Sequence, residues 1–520
     1  MCKGADDVIL ERSSNRKESE ILQMKERVDE YARVGLRTLV LAQRTLSREE
    51  FKKIQARFEE AERDLQSRDA RLERLEDEVE RGLEVVGATA IEDKLQEEVP
   101  ETIQFMRDAG MKVWVLTGDK VETAKNIGFS TNLLSQERME IVEVTGSGLP
   151  EVVKQLELAG QLLKKAPKNR SKAIVVHGKS LLDIDRHKQA KRLFVRLSLQ
   201  CESVLCCRVS PKQKRQIVDM VRKELPGVRT LAIGDGANDV NMIVGANVGV
   251  GIQGVEGCQA ARSSDYSIPE FKHLKYLLFK YGREYYRKNS IMVLYSFWKN
   301  IVLVLPQFMY SLFFNNFSGV TLYDAFMYQL VNMFYTSMPI MIYCLFDKEL
   351  TGKSLLGNPD YYFVGLRNMY FNIYIFSLWI IFGITQAVCI AIASSFLEFH
   401  PQKGGRYLGF WGFGIFVFFI TQIVANLKIL VFSNSYGFLT IFFIGGGILL
   451  FILSFLIISS IVQNYHFRIF QQLLTQPMVY MVMGFLLIIC NFFDHLWELV
   501  QKMLFFRYIN LEPWLFEEDR

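Results

Sequence analysis

The sequence predicts two fold classes in one chain, an α/β domain followed by an all-α bundle of six membrane-spanning helices. Charged residues crowd the chain up to about residue 289, and long apolar runs rich in Phe, Ile and Leu follow. The charged part alternates strand-like and helical patterns, whereas the apolar part divides into six segments. A chain of 520 residues also exceeds what one hydrophobic core holds, so at least two domains are expected.

The first 82 residues are highly charged, and their pattern is typical of helices. Apolar residues recur at helical spacing from Ser47 to Glu84, for example at Phe51, Ile54 and Phe58. We interpret this stretch as an amphipathic helix on a small domain, with a coiled coil as the alternative. The first six residues lack a charged-then-apolar pattern, so no signal peptide is expected there.

From Leu83 the pattern changes to alternating strands and helices. Short apolar runs typical of buried strands occupy residues 83–91, 112–116, 173–176, 204–207 and 229–233, with helical stretches between them. This alternation predicts a parallel sheet that is covered by helices on both faces. Because ligands of such sheets bind beyond the carboxyl ends of the strands, polar residues there are candidate site residues.

Six apolar segments follow a basic helix that begins after Lys272. Each can cross roughly 30 Å of hydrocarbon as a helix, and the predicted bounds are 291–314, 325–346, 369–396, 407–432, 438–463 and 477–499. Basic residues precede the first segment and separate the second from the third, whereas residues 315–324 contain neither Lys nor Arg. This asymmetry places the charged half in the cytosol, although Lys403 and Arg406 fall on the opposite side.

The overall composition argues against nucleic acid as a partner. A net charge of +5 is small for this length, and no basic run is interleaved with aromatic residues. The eight cysteines show no metal-ligand spacing and are expected to be reduced. The adjacent Cys206 and Cys207 are expected to face opposite sides of a buried strand.

Two short polar strings that follow predicted strands are suited to phosphate binding. Thr117-Gly118-Asp119 offers a hydroxyl and free backbone N–H groups where a helix begins, although an ordinary cap and turn is an equally good interpretation. Arg208-Val209-Ser210-Pro211-Lys212-Gln213-Lys214 opens a helix at its proline. Lys214 lies one turn into that helix and can bring a positive charge to a phosphate, but a solvated helix start explains this string alone.

The third and most specific string is Gly234-Asp235-Gly236-Ala237-Asn238-Asp239-Val240. Its glycines allow a sharp turn and a close approach of backbone to ligand. Asp235 and Asp239 are four residues apart and can face one point across a turn. Two carboxylates at a strand end suit Mg²⁺, which prefers a few protein oxygens together with phosphate.

Together the three strings resemble the site of haloacid-dehalogenase-like phosphotransferases. The resemblance implies that Thr117 binds the phosphoryl group, that Lys214 neutralises it, and that Asp235 and Asp239 hold Mg²⁺. Phosphoryl transfer depends mainly on positioning and charge stabilisation, so these are the expected parts. The attacking aspartate should lie in an Asp-Lys-Thr-Gly string after an earlier strand, and the 520 residues contain no such string.

Further strings resemble type-IV P-type ATPases, the phospholipid flippases. Those shared with P-type ATPases in general are Lys3-Gly4-Ala5-Asp6, Gly35-Leu36-Arg37-Thr38-Leu39, Thr117-Gly118-Asp119-Lys120 and the Gly234–Val240 element. Those similar to the flippase branch are the run from Gly87 to Gln96, Phe317-Ser318-Gly319 with Thr321-Leu322-Tyr323-Asp324, and Asn426-Leu427-Lys428. The resemblance covers nearly the whole chain.

This resemblance implies a domain order and a set of nucleotide contacts. The expected parts are a remnant of the nucleotide-binding domain at 1–82, a haloacid-dehalogenase-like phosphorylation domain at 83–270, a basic linker helix at 271–290, a six-span domain at 291–505 and a cytosolic tail at 506–520. ATP is expected to contact Lys3, Arg37, Thr117, Gly118, Asp119, Arg208, Lys214, Asn238 and Asp239. The actuator domain, the first four spans and the phosphorylated aspartate are expected to lie outside these 520 residues.

The resemblance also implies an activity and partners. The expected activity is ATP-driven movement of phospholipid from the exoplasmic to the cytosolic leaflet of the plasma membrane or an endomembrane, with a transmembrane glycoprotein β-subunit as partner. The alternative is a catalytically inactive membrane protein that binds the β-subunit or competes with full-length pumps. A membrane-anchored phosphatase is a third class, and the missing nucleophile argues against it.

The first four apolar segments contain no Asp or Glu, which argues against a cation pump. The first segment contains Lys299, followed by Asn300. A charge within a span is functional by default, and the family resemblance favours a role for both residues in headgroup passage. A lysine that snorkels to the interface remains the alternative. Asn300, Asn332 and Asn426 are expected to form hydrogen bonds between helices.

Overall fold

The computed structural model describes residues 1–511 apart from 15–17, 34–35, 64–67, 92–93, 166, 168–169, 255–256, 402–404, 406 and 462–464. The chain divides into two compact units, Met1–Lys275 and Tyr276–Arg520. The described residues of the first unit form the strands β1 Cys2–Gly4, β2 Arg37–Gln43, β3 Glu84–Ile91, β4 Val113–Leu116, β5 Met139–Val144, β6 Ser171–His177, β7 Ser203–Cys207, β8 Leu231–Gly234, β9 Val248–Ile252 and β10 Tyr266–Ile268.

The first unit also contains α-helices between and beside these strands. They are α1 Asp6–Glu11, α2 Glu18–Arg33, α3 Arg48–Arg63, α4 Arg68–Val79, α5 Val99–Asp108, α6 Val121–Ser130, α7 Leu149–Lys165, α8 Gly178–Arg186, α9 Lys188–Gln200, α10 Pro211–Glu224, α11 Val240–Gly245, α12 Gln259–Ser263 and α13 His273–Lys275. A 3₁₀ turn, Ala237–Asp239, precedes α11.

The helices of the second unit are α14 Arg283–Phe313, α15 Ala325–Leu330, α16 Ser337–Phe346, α17 Gly352–Gly357, α18 Phe363–Leu366, α19 Ile373–Phe399, α20 Gly409–Phe432, α21 Phe438–Ser460, α22 Ile469–Leu474 and α23 Pro477–Leu511. π-helical turns occupy Tyr276–Gly282 and Val331–Tyr335, and a 3₁₀ turn occupies Pro359–Tyr362.

The helical prediction for residues 1–82 is wrong at β1 and β2. These strands form an antiparallel sheet in the order β1-β2-β3. The stretch from Arg37 to Gln43 is rich in β-branched and apolar residues, and cross-strand pairing with β3 stabilises it as a strand. The predicted amphipathic helix is confirmed as two helices, α3 and α4. The predicted domain boundary lies between residues 82 and 83, and this sheet crosses it, because β1 and β2 precede the boundary and β3 follows it. The boundary itself stays a prediction.

The predicted parallel α/β architecture is confirmed, although it forms two sheets, and the strand expected at residues 83–91 belongs instead to the antiparallel sheet as β3. One is four-stranded in the order β4-β7-β6-β5, and the other is three-stranded in the order β8-β9-β10. All the pairings in both sheets are parallel. The sequence did not reveal β5, β9 and β10, because β5 contains two glutamates, β9 contains two glycines and β10 is only three residues long.

Cys206 and Cys207 face opposite sides of β7, as expected. Cys206 packs in one hydrophobic cluster with Val204 and Ile217, whereas Cys207 packs in another with Leu205. Both thiols are free and buried. Burial raises the pKa of Cys207 to about 12, so the thiolate is disfavoured and the cysteines are structural.

The described residues contain six helical stretches that are long and apolar enough to cross a membrane, as predicted, and all but the first few residues of the first stretch belong to the second unit. They are His273–Phe313, Ala325–Phe346, Ile373–Phe399, Gly409–Phe432, Phe438–Ser460 and Pro477–Gln501. The second stretch is interrupted at its middle by the π turn Val331–Tyr335. The fourth, α20, is the most buried of the six and forms the centre of the bundle.

Candidate functional site

The loop after β4 is held against the loop after β7. The backbone N–H of Thr117 donates to the carbonyl of Cys206, and the N–H of Val209 donates to the carbonyl of Thr117. The N–H of Arg208 donates to the carbonyl of Asp119 over 3.0 Å. Arg208 itself has a φ of 52°, the left-handed conformation of a tight turn. The structure therefore brings the Thr117 and Arg208 strings together at one edge of the sheet.

The Thr117 hydroxyl is oriented by Asp119. Thr117 Oγ1 donates to Asp119 Oδ2 over 2.6 Å and accepts from the Asp119 N–H over 3.1 Å. This closed turn fixes the position of the hydroxyl at the carboxyl end of β4. A phosphoryl oxygen that replaced the carboxylate as acceptor would find the same hydroxyl already positioned.

The end of β8 positions a second acidic group. A Cβ added at Gly234 would lie 2.4 Å from Asp239 Cβ and 2.7 Å from its Cγ, so only glycine permits this approach of the carboxylate to the strand end. Asp239 Oδ1 accepts a hydrogen bond from Lys214 Nζ over 2.8 Å. The two side chains are 12% and 14% exposed, so this ion pair is largely shielded from water and is held more firmly than a surface pair.

Helix α10 presents Lys214 to this pair. Ser210 caps the helix and forms a capping box with Gln213, and Pro211 occupies the first turn. Gln213 Nε2 also donates to the Gly178 carbonyl after β6, over 2.8 Å. The start of α10 is thereby tied to the neighbouring strand, which fixes the direction of Lys214.

The strands that carry these motifs lie at open sheet edges. Within the described part of the chain, β4 and β8 are each the outermost strand of their sheet. Every residue of the inner strand β7 is buried, whereas all four residues of β4 are only half-buried. Leu231 at the start of β8 is exposed. Apolar edge strands of this kind are ready to pair with another strand.

Of the remaining predicted site residues, Gly118 is part of this cluster, whereas Lys3, Asp235 and Asn238 lie outside it. Lys3, Asp235 and Asn238 are exposed, and none of their side chains hydrogen-bonds to another predicted site residue in the described part of the chain. Gly118 lies next to the Val209 carbonyl. Arg37 begins β2, and its side chain lies outside the described residues.

Lys120 contributes a contact that the sequence did not reveal. Its Nζ donates to Asp6 over 2.6 Å and to Asp29 over 3.0 Å. Asp6 is 2% exposed. Burial by itself would lower the pKa of Lys120, but the hydrogen bonds to the two carboxylates outweigh burial and raise it. The ion pair between Lys120 and Asp6 thus joins the string that ends at Lys120 directly to the string that ends at Asp6.

The two residues predicted to hold Mg²⁺ are of a suitable chemical type, but by themselves they would form only part of a site. Asp235 and Asp239 offer hard carboxylate oxygens at one strand end, and Mg²⁺ is bound in proteins through one or two carboxylates together with phosphate oxygens. Among the described residues no group of three or more His, Cys, Asp or Glu is placed to hold a metal ion. A further carboxylate and phosphate are therefore needed to complete the coordination.

In the second unit, Lys299 reaches the interrupted second span. Its Nζ donates to Asn332 Oδ1 over 2.8 Å and to Thr336 Oγ1 over 3.1 Å. Thr336 in turn donates to the Val331 carbonyl across the π turn, over 2.7 Å. π turns are frequent at functional sites. These contacts favour a polar site between two spans over a lysine that snorkels to the interface.

The expected interhelical hydrogen bond is confirmed at Asn332, which accepts from Lys299. It is wrong at Asn426, whose amide donates to the Gln422 carbonyl of its own helix over 3.0 Å. Asn300 is exposed on α14. Lys428 and Asp494 form an ion pair that was not predicted, although opposite charges in two apolar segments are visible in the sequence.

Comparison with known proteins gives one family match within the first unit of the chain and another that covers most of the second unit. The family model described as P-type ATPase, cytoplasmic domain N, matches residues 1–98. The model described as phospholipid-translocating P-type ATPase C-terminal matches residues 261–507. The first match contains the antiparallel sheet, and the second contains all six apolar spans.

Similar curated proteins come from fungi and mammals. Phospholipid-transporting ATPase DRS2 of Saccharomyces cerevisiae is 36% identical over 466 residues, which are 88% of this chain and 34% of that protein. Phospholipid-transporting ATPase 11C of Mus musculus is 36% identical over 86% of this chain and 42% of its own length. Phospholipid-transporting ATPase ID of Homo sapiens is 34% identical over 98% of this chain and 44% of its own length. The chain thus spans less than half the length of these relatives.

The α/β unit, which matches the P-type ATPase cytoplasmic domain model in its first 98 residues, and the six apolar spans that follow in the described part of the chain define a multi-pass membrane protein of the P-type ATPase class with a cytosolic domain. Within that class, the chain belongs to the phospholipid-transporting type-IV branch, because its membrane unit matches that branch's model and its relatives are phospholipid-transporting ATPases.

Proposed function

We propose that this chain is the C-terminal part of an ATP-driven pump that moves phospholipids from the exoplasmic to the cytosolic leaflet. The observation that carries this proposal is the pair of open edges at β4 and β8, each of which ends in a phosphate-binding string. A strand that ended in Asp-Lys-Thr-Gly and paired with both edges would place its carboxylate beside the groups that end β4 and β8. That strand belongs to a segment outside these 520 residues.

The proposed reaction is transfer of the γ-phosphoryl group of ATP to that aspartate, with ADP as the leaving group. Thr117 holds one phosphoryl oxygen through its hydroxyl. Lys214 neutralises the developing negative charge, and its ion pair with Asp239 fixes the ammonium in place. Asp235 and Asp239 hold Mg²⁺, which supplies charge neutralisation when bound. Lys3, Arg37, Gly118, Asp119, Arg208 and Asn238 are proposed to contact the nucleotide.

The test is complementation in trans. The chain is co-expressed with the part of yeast phospholipid-transporting ATPase DRS2 that precedes the matched region, and phosphoenzyme formed from radiolabelled ATP is measured. We expect no phosphoenzyme from the chain alone, because phosphate-binding groups cannot replace a covalent acceptor, and detectable phosphoenzyme from the pair. Asp239→Asn should abolish it.

Asp219→Asn is the matched control, because Asp219 lies on the same helix as Lys214 and pairs with Arg215 near the surface. This variant should retain the signal. Phosphoenzyme from the chain alone would overturn the proposal. Co-purification of the two parts without any phosphoenzyme would instead support the inactive alternative, in which the chain binds the glycoprotein β-subunit or competes with full-length pumps.

For the membrane unit, we propose that Lys299 contacts the lipid phosphate during headgroup passage, with Asn300 near the same path. The support is the position of the ammonium at the interrupted second span, beside Asn332 and Thr336. An ammonium in this place can exchange its neutral partners for an anionic phosphate. In the complemented pump, Lys299→Ala should raise the lipid concentration for half-maximal ATPase stimulation, normalised to phosphoenzyme. An unchanged value would remove Lys299 from the lipid path.

A further inference from the structure

The centre of the membrane unit contains a buried ion pair that the proposed lipid path does not use. Lys428 Nζ on α20 lies 2.5 Å from Asp494 Oδ1 on α23, and both side chains are 2% exposed. The ammonium also lies 4.1 Å from the centre of the Trp298 ring and 4.7 Å from that of Trp379. Charges at this depth are costly unless they are paired, and they mark functional positions.

Gln386 on α19 connects this pair to the first span. Trp298 Nε1 donates to Gln386 Oε1 over 2.7 Å. The amide of Gln386 donates to the Cys490 carbonyl over 2.8 Å and to Asp494 Oδ1 over 3.2 Å. The same carboxylate oxygen therefore anchors both Lys428 and Gln386, and through Gln386 it holds the indole of Trp298. Four spans meet in this network.

The first span carries the two relevant residues side by side. Trp298 and Lys299 are adjacent on α14, so their side chains leave the helix about 100° apart. Trp298 is fully buried toward α19 and α20, whereas Lys299 is directed to the interrupted second span. The spans α14 and α19 approach closely here, because a Cβ at Gly383 would lie only 3.1 Å from Trp298 Cδ1. Any rotation of α14 that moved Lys299 would also move Trp298.

We infer that Lys428, Asp494 and Gln386 are positioning residues that fix the rotation of α14 through Trp298 and so direct Lys299 toward Asn332 and Thr336. The importance of this network for transport rests on the proposed lipid contact of Lys299. Its effect on the direction of the Lys299 side chain does not depend on that proposal. In an apolar bundle, no solvent replaces a lost partner of the indole N–H, so the hydrogen bond to Gln386 selects one rotation of α14.

The test measures where position 299 points in the full chain in detergent. Lys299→Cys is combined with Thr336→Cys, and the pair is cross-linked with a short membrane-permeant bis-methanethiosulfonate and quantified by mass spectrometry. Gln386→Met removes the bridge but leaves the Lys428–Asp494 pair intact. It should lower the cross-link yield by about fivefold, the population change produced by losing one hydrogen bond of ordinary net strength.

Three further variants make the result specific. Gln386→Glu retains a side-chain oxygen that accepts from Trp298, so it should restore the yield, which a loss of general packing would not explain. Tyr310→Phe removes another polar link between α14 and α19, the hydrogen bond to Glu398, and should leave the yield unchanged. Lys428→Met should lower the yield as Gln386→Met does.

The inference is overturned if the Gln386→Met variant gives the same cross-link yield as the double-cysteine chain with Gln386 in place. It is also overturned if Tyr310→Phe lowers the yield as much as Gln386→Met does. Gln386→Met decides the matter if Lys428→Met does not fold. A reduced yield together with an unchanged lipid response in the complemented pump would support the positioning role and refute the lipid contact of Lys299. The two proposals therefore fail separately.

Discussion

Replacing Gly234 with alanine should displace Asp239 and disable the end of β8. The added Cβ would lie 2.4 Å from Asp239 Cβ, 2.7 Å from its Cγ and 2.8 Å from Oδ2. Carbon atoms in contact prefer separations of about 3.5–4.0 Å, so the carboxylate must retreat by about 1 Å or more. The contact atoms lie near the backbone of the residue, not at the far end of a flexible chain, so the turn itself must shift.

The expected cost follows from this overlap. Overpacking of a well-packed site costs about 1–3 kcal/mol of unfolding free energy. A shift of about 1 Å in a positioned group also lowers catalytic efficiency by roughly 100-fold. Gly234→Ala should therefore destabilise the first unit by about 1–3 kcal/mol, and it should nearly abolish phosphoenzyme in the complemented pump.

Thermal unfolding of the full chain in detergent, followed with a thiol-reactive dye, measures the stability change. The buried Cys206 and Cys207 react only as the first unit opens. Gly227→Ala is the matched control, because a Cβ there meets no atom within 4 Å. It should be neutral or slightly stabilising through the unfolded state. Equal midpoints for the two variants would show that the contact between Gly234 and Asp239 does not shape the site.

Two further predictions concern ion pairs. Lys120→Met leaves Asp6 and Asp29 without their partner and should lower the unfolding free energy by about 1.5–3 kcal/mol at neutral pH. Because the pKa of Lys120 is raised in the folded protein, the stability difference between the two proteins should be full below about pH 10.4 and should shrink as the pH rises through the higher folded pKa. Tryptophan-detected melting that shows no destabilisation of the variant at neutral pH would refute the argument. At the loop before the second span, the hydrogen bond from His466 holds the pKa of Asp324 below its usual range. The stabilisation that the Asp324 carboxylate gives the folded protein should therefore be present above about pH 3.9 and lost as the pH falls through the lower pKa of the folded state. Asp324→Asn should remove that acid-dependent step, and an identical acid melting curve for the variant would contradict it.

Much of the site could be predicted from the sequence, because its chemistry is written in short contiguous strings. The string from Gly234 to Val240 contains the turn glycines and both carboxylates, so its place after a strand followed from local pattern alone. The contact of Lys214 with Asp239 could not be predicted in this way, since Lys214 lies on α10 and Asp239 lies in the 3₁₀ turn after β8. The link of Lys120 to Asp6 spans 114 positions and depends on how α1 and α6 pack.

The sequence by itself determined the two fold classes, the six spans and the place of the polar strings after β4, β7 and β8, because hydrophobic periodicity and turn residues act over a few neighbouring positions. Only the tertiary structure decided that β1 and β2 are strands, because their stability comes from pairing with β3. It also decided that β4 and β8 lie at open edges and that Lys428, Asp494, Gln386 and Trp298 form one network across four spans. Those features depend on contacts between residues far apart in sequence, which no local pattern specifies.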